Sequence, residues 1–159
     1  MNSVMGKEQI KLAVREFIIE GQPVPKARPR VYGKRGVTPK KTVDAETRVR
    51  EAYLAGYPNY PVFEGNVTLM CRFYLQDNRR VDVDNLLKLV QDALNSFAFK
   101  DDSQIIRVIA TKITPSRLVE GASGRLRKRR GEDPLTASFD GEPYDPHTHV
   151  VVICDDADK

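Results

Sequence analysis

Apolar and polar positions along this chain repeat with two periods, and the two periods outline its elements. Val14–Glu20 (Val-Arg-Glu-Phe-Ile-Ile-Glu) reads as a strand and stops at Gly21. Asn66–Leu75 is rich in β-branched and aromatic residues and is the clearest strand. Further strands are expected over Gln104–Ile113 and Thr148–Cys154, the latter almost wholly apolar and therefore central in its sheet. Helical spacing occurs twice. Thr42 is suited to cap a helix from Val43 to about Ala55, with Glu46 and Arg50 one turn apart and Gly56, Pro58 and Pro61 beyond its end. The second stripe is stronger: Leu86, Leu87, Leu89, Val90, Ala93, Leu94 and Phe97 share one face, and Asp84, Lys88, Gln91, Asp92 and Asn95 the other. With Asp84 as N-cap this helix should reach Phe97, roughly 20 Å at about 1.5 Å per residue. The expected fold is α+β: a small mixed, mainly antiparallel sheet with two main helices on one side, in a single domain over residues 14–154. Residues 1–13 read as a flexible leader and 155–159 as an acidic tail. Thr114–His147 shows neither period and is rich in Gly, Pro and charge, so a basic insertion at about 115–147 is expected as a long loop.

Length and charge narrow this further. The 159 residues suit about one domain. The formal net charge of +4 matters through its distribution. Gln22–Lys41 carries Lys26, Arg28, Arg30, Lys34, Arg35, Lys40 and Lys41, no acidic residue, and prolines that keep it extended. A stiff basic loop with Tyr32 interleaved suits a phosphate backbone; the plain alternative is a solvated loop. Arg125–Arg130, with Arg127 and Arg129, is the densest basic cluster and reads as a second nucleic-acid arm or as a solvated loop tip. There is no apolar run of membrane-spanning length and no signal-peptide core, so no membrane partner and a cytoplasmic location are expected. Cys71 and Cys154 are too few for a disulfide framework and sit in apolar runs, as buried free thiols would. Nucleotide-cradling glycine motifs and clustered zinc ligands are missing, and His147-x-His149 reads as a loop entering a strand.

The chemistry concentrates in Arg79-Arg80-Val81-Asp82-Val83-Asp84-Asn85-Leu86-Leu87-Lys88. If Val81–Val83 is extended, Asp82 and Asp84 point to one side, and Lys88 lies one helical turn beyond Asp84. Hard carboxylate oxygens suit Mg²⁺. A lone Asp-x-Asp is more often a solvated loop and a helix cap. Arg79 and Arg80 before it, Lys88 after it, and the second acidic pair in Lys100-Asp101-Asp102 favour a metal site.

That motif, followed by Asp92-Ala93-Leu94 and by Lys100-Asp101-Asp102-Ser103-Gln104-Ile105, resembles the core of the RusA family of Holliday-junction resolvases, the crossover junction endodeoxyribonucleases. Gly21–Arg30 (Gly-Gln-Pro-Val-Pro-Lys-Ala-Arg-Pro-Arg) resembles the family's N-terminal segment. The likeness covers roughly Phe17–Ile113 and the final strand, and Val119–Tyr144 departs from it. It implies Mg²⁺-dependent phosphodiester hydrolysis of branched DNA in recombination and repair. Asp82, Asp84 and Asp102 would be the catalytic, metal-holding carboxylates, Lys88 the essential lysine, and Asp101 a less essential acid. Lys26, Arg28, Arg30, Arg79, Arg80, Arg127 and Arg129 are the expected DNA contacts. A metal-dependent nuclease acting on other branched or flap DNA, and a catalytically silent DNA-binding protein, are the alternatives. One further expectation follows from the helix length. Asp84 and Asp102 lie at opposite ends of it, so the loop after it folds back, or a homodimer shares its sites with Asp84 of one chain beside Asp102 of the other.

Overall fold

The computed structural model describes residues 12–28, 30–33 and 35–155. The chain runs β1 (Ala13–Glu20), β2 (Arg30–Tyr32), β3 (Arg35–Val37), α1 (Lys40–Gly56), β4 (Val67–Tyr74), α2 (Val83–Leu94), a 3₁₀ turn (Asp102–Gln104), β5 (Ile105–Ile113), β6 (Leu118–Glu120), β7 (Leu126–Lys128) and β8 (His147–Cys154). Four strands form the main sheet in the order β1-β8-β4-β5. β8 is central, as its apolar run predicts, and antiparallel to both β1 and β4. β4 and β5 are parallel, with α2 as their crossover. The fold is α+β, as expected.

One face of the sheet supplies the core. Phe17 and Ile19 of β1, Leu69, Cys71 and Phe73 of β4, and Val150 and Val152 of β8 are buried against Val49 and Tyr53 of α1 and Leu86, Leu89, Val90 and Leu94 of α2. Each such buried Leu or Val contributes about 2 kcal/mol of transfer free energy. Gly21 ends β1 at φ 95°, a conformation that suits glycine alone here, because a Cβ would also lie 2.6 Å from Arg48 Nη2. That guanidinium donates to the Glu20 carbonyl.

Three helix boundaries differ from the sequence reading. α1 begins at Lys40 with Pro39 at the N-cap position. Thr42 is not a cap but a buried first-turn residue whose Oγ1 accepts from the Ala27 N–H at 3.4 Å. α2 begins at Val83, so Asp82 holds the N-cap position and Asp84 lies in the first turn. It also stops at Leu94, not Phe97. Ser96 takes φ 70° and donates its N–H to the Phe99 carbonyl at 2.8 Å, which buries Ala98 and Phe99 and leaves Phe97 out.

The segment 115–147 is folded, not a loop. Ser116 N–H donates to the Thr136 carbonyl at 2.7 Å, Ser138 N–H to Thr114 at 3.0 Å, and the Tyr144 hydroxyl to the Leu75 carbonyl at 2.5 Å. The β6–β7 hairpin projects from this base. Of the expected leader, Leu12 and Ala13 are described, and Ala13 opens β1; of the expected tail, Asp155 is described. The rest of both lies outside the described residues. Among the described residues no helix is long and apolar enough to cross a membrane.

Candidate active site

The organising stretch crosses the carboxyl ends of β4 and β5. Val81 and Val83 pack against the core, while Asp82 and Asp84 are exposed. The geometry is that of an extended residue leading into a helix, with Asp82 at φ −80°, ψ 130°. Neither carboxylate accepts a side-chain cap or any other hydrogen bond from the described residues. The first N–H groups of α2 therefore lack a side-chain acceptor, and its positive dipole end faces the carboxylates. Lys112, near the end of β5, donates from Nζ to the Val81 carbonyl at 2.7 Å and fixes the approach to Asp82. Beside it a cleft of about 430 Å³ is lined by Pro25, Lys26, Arg80, Val81, Asp82 and Asn85.

Lys88 does not turn to Asp84. Its Nζ lies 2.9 Å from Asp92 Oδ1, one turn further on. Asp92 is held there by Lys26, whose Nζ is 3.1 Å from Asp92 Oδ2 and also pairs with Glu46 of α1. Burial works against the Lys26 ammonium, but its hydrogen bonds and charge pairing with Glu46 and Asp92 outweigh it and raise the lysine above its ordinary value. Lys26 N–H also donates to the Asn85 carbonyl at 2.9 Å. The proline-rich segment is thus docked on both helices, and Lys26 is the tie between them.

The second acidic pair divides its work. Asp101 accepts from Ser103 N–H at 3.1 Å and donates its own N–H to Gln104 Oε1 at 2.8 Å, a reciprocal cap. Ser103 holds the Asp101 carboxyl below the usual range. Gln104 Nε2 in turn donates to the carbonyls of Phe63 (2.7 Å) and Gly65 (2.9 Å). Asp102 accepts no hydrogen bond from the described residues. It precedes β5, whereas Asp82 lies beside the end of that strand. The Ile105-to-Lys112 run separates them by roughly 23 Å at about 3.3 Å per residue. No group of three or more His, Cys, Asp or Glu residues able to hold a metal ion comes together among the described residues. One chain therefore leaves Asp82 and Asp84 at one end of the sheet and Asp102 at the other.

The expected DNA contacts also divide. Arg28 and Arg80 are exposed. Arg79 is exposed and donates from Nε to Asp77 Oδ2 at 2.9 Å. Arg30 stands on β2, with its side chain outside the described part of the structure. Arg127 makes a bidentate pair with Asp133, at 2.7 and 2.8 Å. Arg129 Nε donates to the Ser116 carbonyl at 3.2 Å. Arg127 and Arg129 are half-buried, whereas Arg125, Lys128 and Arg130 are exposed. Lys112 carries no local signal in the sequence, and Glu46 and Gln104 find partners in Lys26, Phe63 and Gly65, far along the chain. The Lys88–Asp92 pair was legible as an i,i+4 spacing.

The family model described as Endodeoxyribonuclease RusA matches residues 20–120. The chain belongs to the RusA family. It is an endodeoxyribonuclease of the Holliday-junction-resolving type, and RusA nucleases are metal-dependent in general. The match includes Asp82, Asp84, Lys88 and Asp102 and ends with β6, so β7, the rest of the folded lobe and β8 lie beyond it. No curated protein matches the chain.

Proposed function

We propose that the chain is a Mg²⁺-dependent resolvase that makes paired symmetric nicks in four-way junctions, as a homodimer with shared sites. The observation that carries this is the pair Asp82 and Asp84: two exposed carboxylates free of protein hydrogen bonds, beside an Arg80-lined cleft and an uncapped helix end. The donor set is hard oxygen, which fits Mg²⁺. Asp82 and Asp84 of one subunit and Asp102 of the other would hold it. Bound there, the ion would supply Lewis acidity toward a water nucleophile and neutralise charge on the phosphate.

The chain's own groups do the rest. Lys88 shares its ammonium with Asp92 and has donors left for a phosphate oxygen near the scissile bond. Free N–H groups at the start of α2 favour the same anion. Lys112 positions Asp82 through Val81. Arg28, Arg30, Arg79, Arg80 and the outward cations of the β6–β7 hairpin offset the repulsion between DNA and carboxylates. Arg127 and Arg129 support that hairpin from within, and Lys26 holds the proline-rich segment in reach. The work is cytoplasmic, in DNA recombination and repair, which suits the buried free thiols Cys71 and Cys154.

A mobile synthetic four-way junction tests the proposal. Symmetric paired nicks are expected with Mg²⁺ and none with EDTA. Asp82→Asn should bind the junction at least as tightly as the natural chain and not cut it. Efficient cutting of flaps but not junctions, or nicking by Asp82→Asn at the natural rate, would overturn it.

A further inference from the structure

We infer that the β6–β7 hairpin lies in the major groove of a duplex arm of the junction, with Leu118 and Leu126 against the base edges. The inference rests on the resolvase reading above and names the part of the substrate that this hairpin reads. The family match stops at residue 120, so membership assigns no role to β7 or to the rest of the lobe that carries it. The hairpin is a stiff element with two unlike faces. Leu118 stands opposite Lys128 and Glu120 opposite Leu126, so these four share a face, and all four are exposed. Val119 and Arg127, the remaining pair, are half-buried on the other face. There Asp133 grips the hairpin: it accepts both bonds from Arg127 and a further one from the Arg130 N–H at 2.7 Å. Arg129 N–H donates to the Arg117 carbonyl at 2.9 Å and closes the base. Ordering entropy that binding would otherwise cost is thus spent on folding.

The exposed face shows what it is built to meet. Arg117, Arg125, Lys128 and Arg130 are exposed on the hairpin and at its ends, against Glu120 and Glu132, a balance that suits a polyanion. Phosphate contact alone needs no leucines, yet Leu126 is 69% exposed and Leu118 47%. Two apolar side chains flanked by cations match a groove, with phosphates along its rims and base edges on its floor. The major groove, about 12 Å wide, admits a two-stranded ribbon, and the minor groove, about 6 Å wide, does not. Only the major groove presents the thymine methyl, an apolar group that leucine can cover. The hairpin is also in the right place. Lys112, which holds Val81 beside Asp82, precedes Leu118 by only the end of β5 and a short link. That path is no more than roughly 20 Å at about 3.3 Å per residue, or roughly six base pairs at about 3.4 Å each. A duplex arm leaving the crossover passes within its reach.

Removing the thymine methyls tests it. Binding of the full chain in Ca²⁺ is compared for two four-way junctions, one with thymine-rich arms and one with deoxyuridine in place of each arm thymine and the crossover unchanged. The natural chain should bind the thymine junction about 4-fold more tightly, the worth of one methyl buried against a leucine. The chain carrying both Leu118→Ser and Leu126→Ser should bind the two junctions equally. Its circular dichroism spectrum and salt slope should be unchanged, because both leucines are exposed and the cations remain. A natural chain that binds both junctions equally, or a folded double variant that still prefers thymine, overturns the groove contact; nicking by the natural chain then leaves the resolvase reading standing. A natural chain that prefers thymine through these leucines yet cuts no junction in Mg²⁺ upholds the groove contact and overturns the resolvase reading.

Discussion

Replacing Lys26 by Met separates two roles that the sequence alone left merged. As a DNA contact, Lys26 would add one phosphate interaction. As the tie observed in the structure, it holds Glu46, Asp92 and the proline-rich segment together, with its side chain 24% exposed and that of Glu46 13%. Methionine keeps most of the stem volume and the Lys26 N–H bond to Asn85, and removes only the ammonium. Two half-buried carboxylates are then left with Arg50 and Lys88 as their remaining partners. Exposed pairs are worth about 0–1 kcal/mol, and breaking buried ones costs about 3–5 kcal/mol. This intermediate site should lose about 2 kcal/mol, or about 4–8 °C in Tm for a domain of this size. Because the lysine is raised above its ordinary value of 10.5, its stabilising contribution is fully present at neutral pH and fades only in strongly alkaline solution. Urea unfolding at pH 7 measures the loss, and junction binding in Ca²⁺ across a salt series measures the contact. The expected outcome is lower stability with an unchanged salt slope. Unchanged stability with a slope lower by about 0.9 would refute the reasoning and return Lys26 to the DNA.

The outward cations give the complementary result: Arg125→Ala, Lys128→Ala and Arg130→Ala combined should flatten the salt slope by about 0.9 per lost contact with no change in Tm, whereas Arg127→Ala should unfold the lobe and raise its proteolysis. Asp102→Asn should abolish nicking at an unchanged unfolding midpoint, while Asp101→Ala should keep measurable nicking and lower that midpoint through loss of its cap. Co-expression of Asp82→Asn and Asp102→Asn chains under two tags should give a heterodimer that nicks one strand, because one shared site escapes both lesions; an inert heterodimer beside an active natural/variant control rejects the shared site. Burial pushes the Cys71 thiol up to about 12, so it should resist alkylation at pH 8 until the chain unfolds; rapid modification of the native protein would contradict the burial.

Periodic signals carried most of the fold. The stripe of α2 and the apolar run of β8 are local patterns, and their buried residues are those the patterns select. Errors arose where a tertiary contact imitated or overrode a local one. Phe97 falls three residues after Leu94 and so extends the stripe on paper, yet the turn at Ser96 exists because Ala98 and Phe99 are buried elsewhere. Lys40 and Lys41 read as loop residues because they close a proline-rich, one-signed basic stretch just before a cap-like Thr42; docking of Ala27 onto Thr42 accompanies the earlier start. The lobe over 115–147 has no period because it is held by single long-range bonds, such as Tyr144 to Leu75. At the candidate site the residue types were legible, and of the pairings only the i,i+4 spacing of Lys88 and Asp92 was. Lys26 looks the same in a sequence whether it faces a phosphate or two carboxylates.

The central position of β8 has a consequence for how the enzyme is made. β8 lies between β1 and β4, and its pairing joins Ala13 to Cys154 and Val67 to the same residue. Until strand 147–154 has been synthesised, β1 has no neighbour and the core lacks Val150 and Val152. Contacts so distant along the chain close late and slowly. A nascent chain can build the β4-α2-β5 crossover and its apolar edge but not the finished sheet. Nuclease activity is thereby withheld until translation has passed the last strand, and the exposed edge of a stalled fragment is the part most exposed to aggregation and to proteolysis.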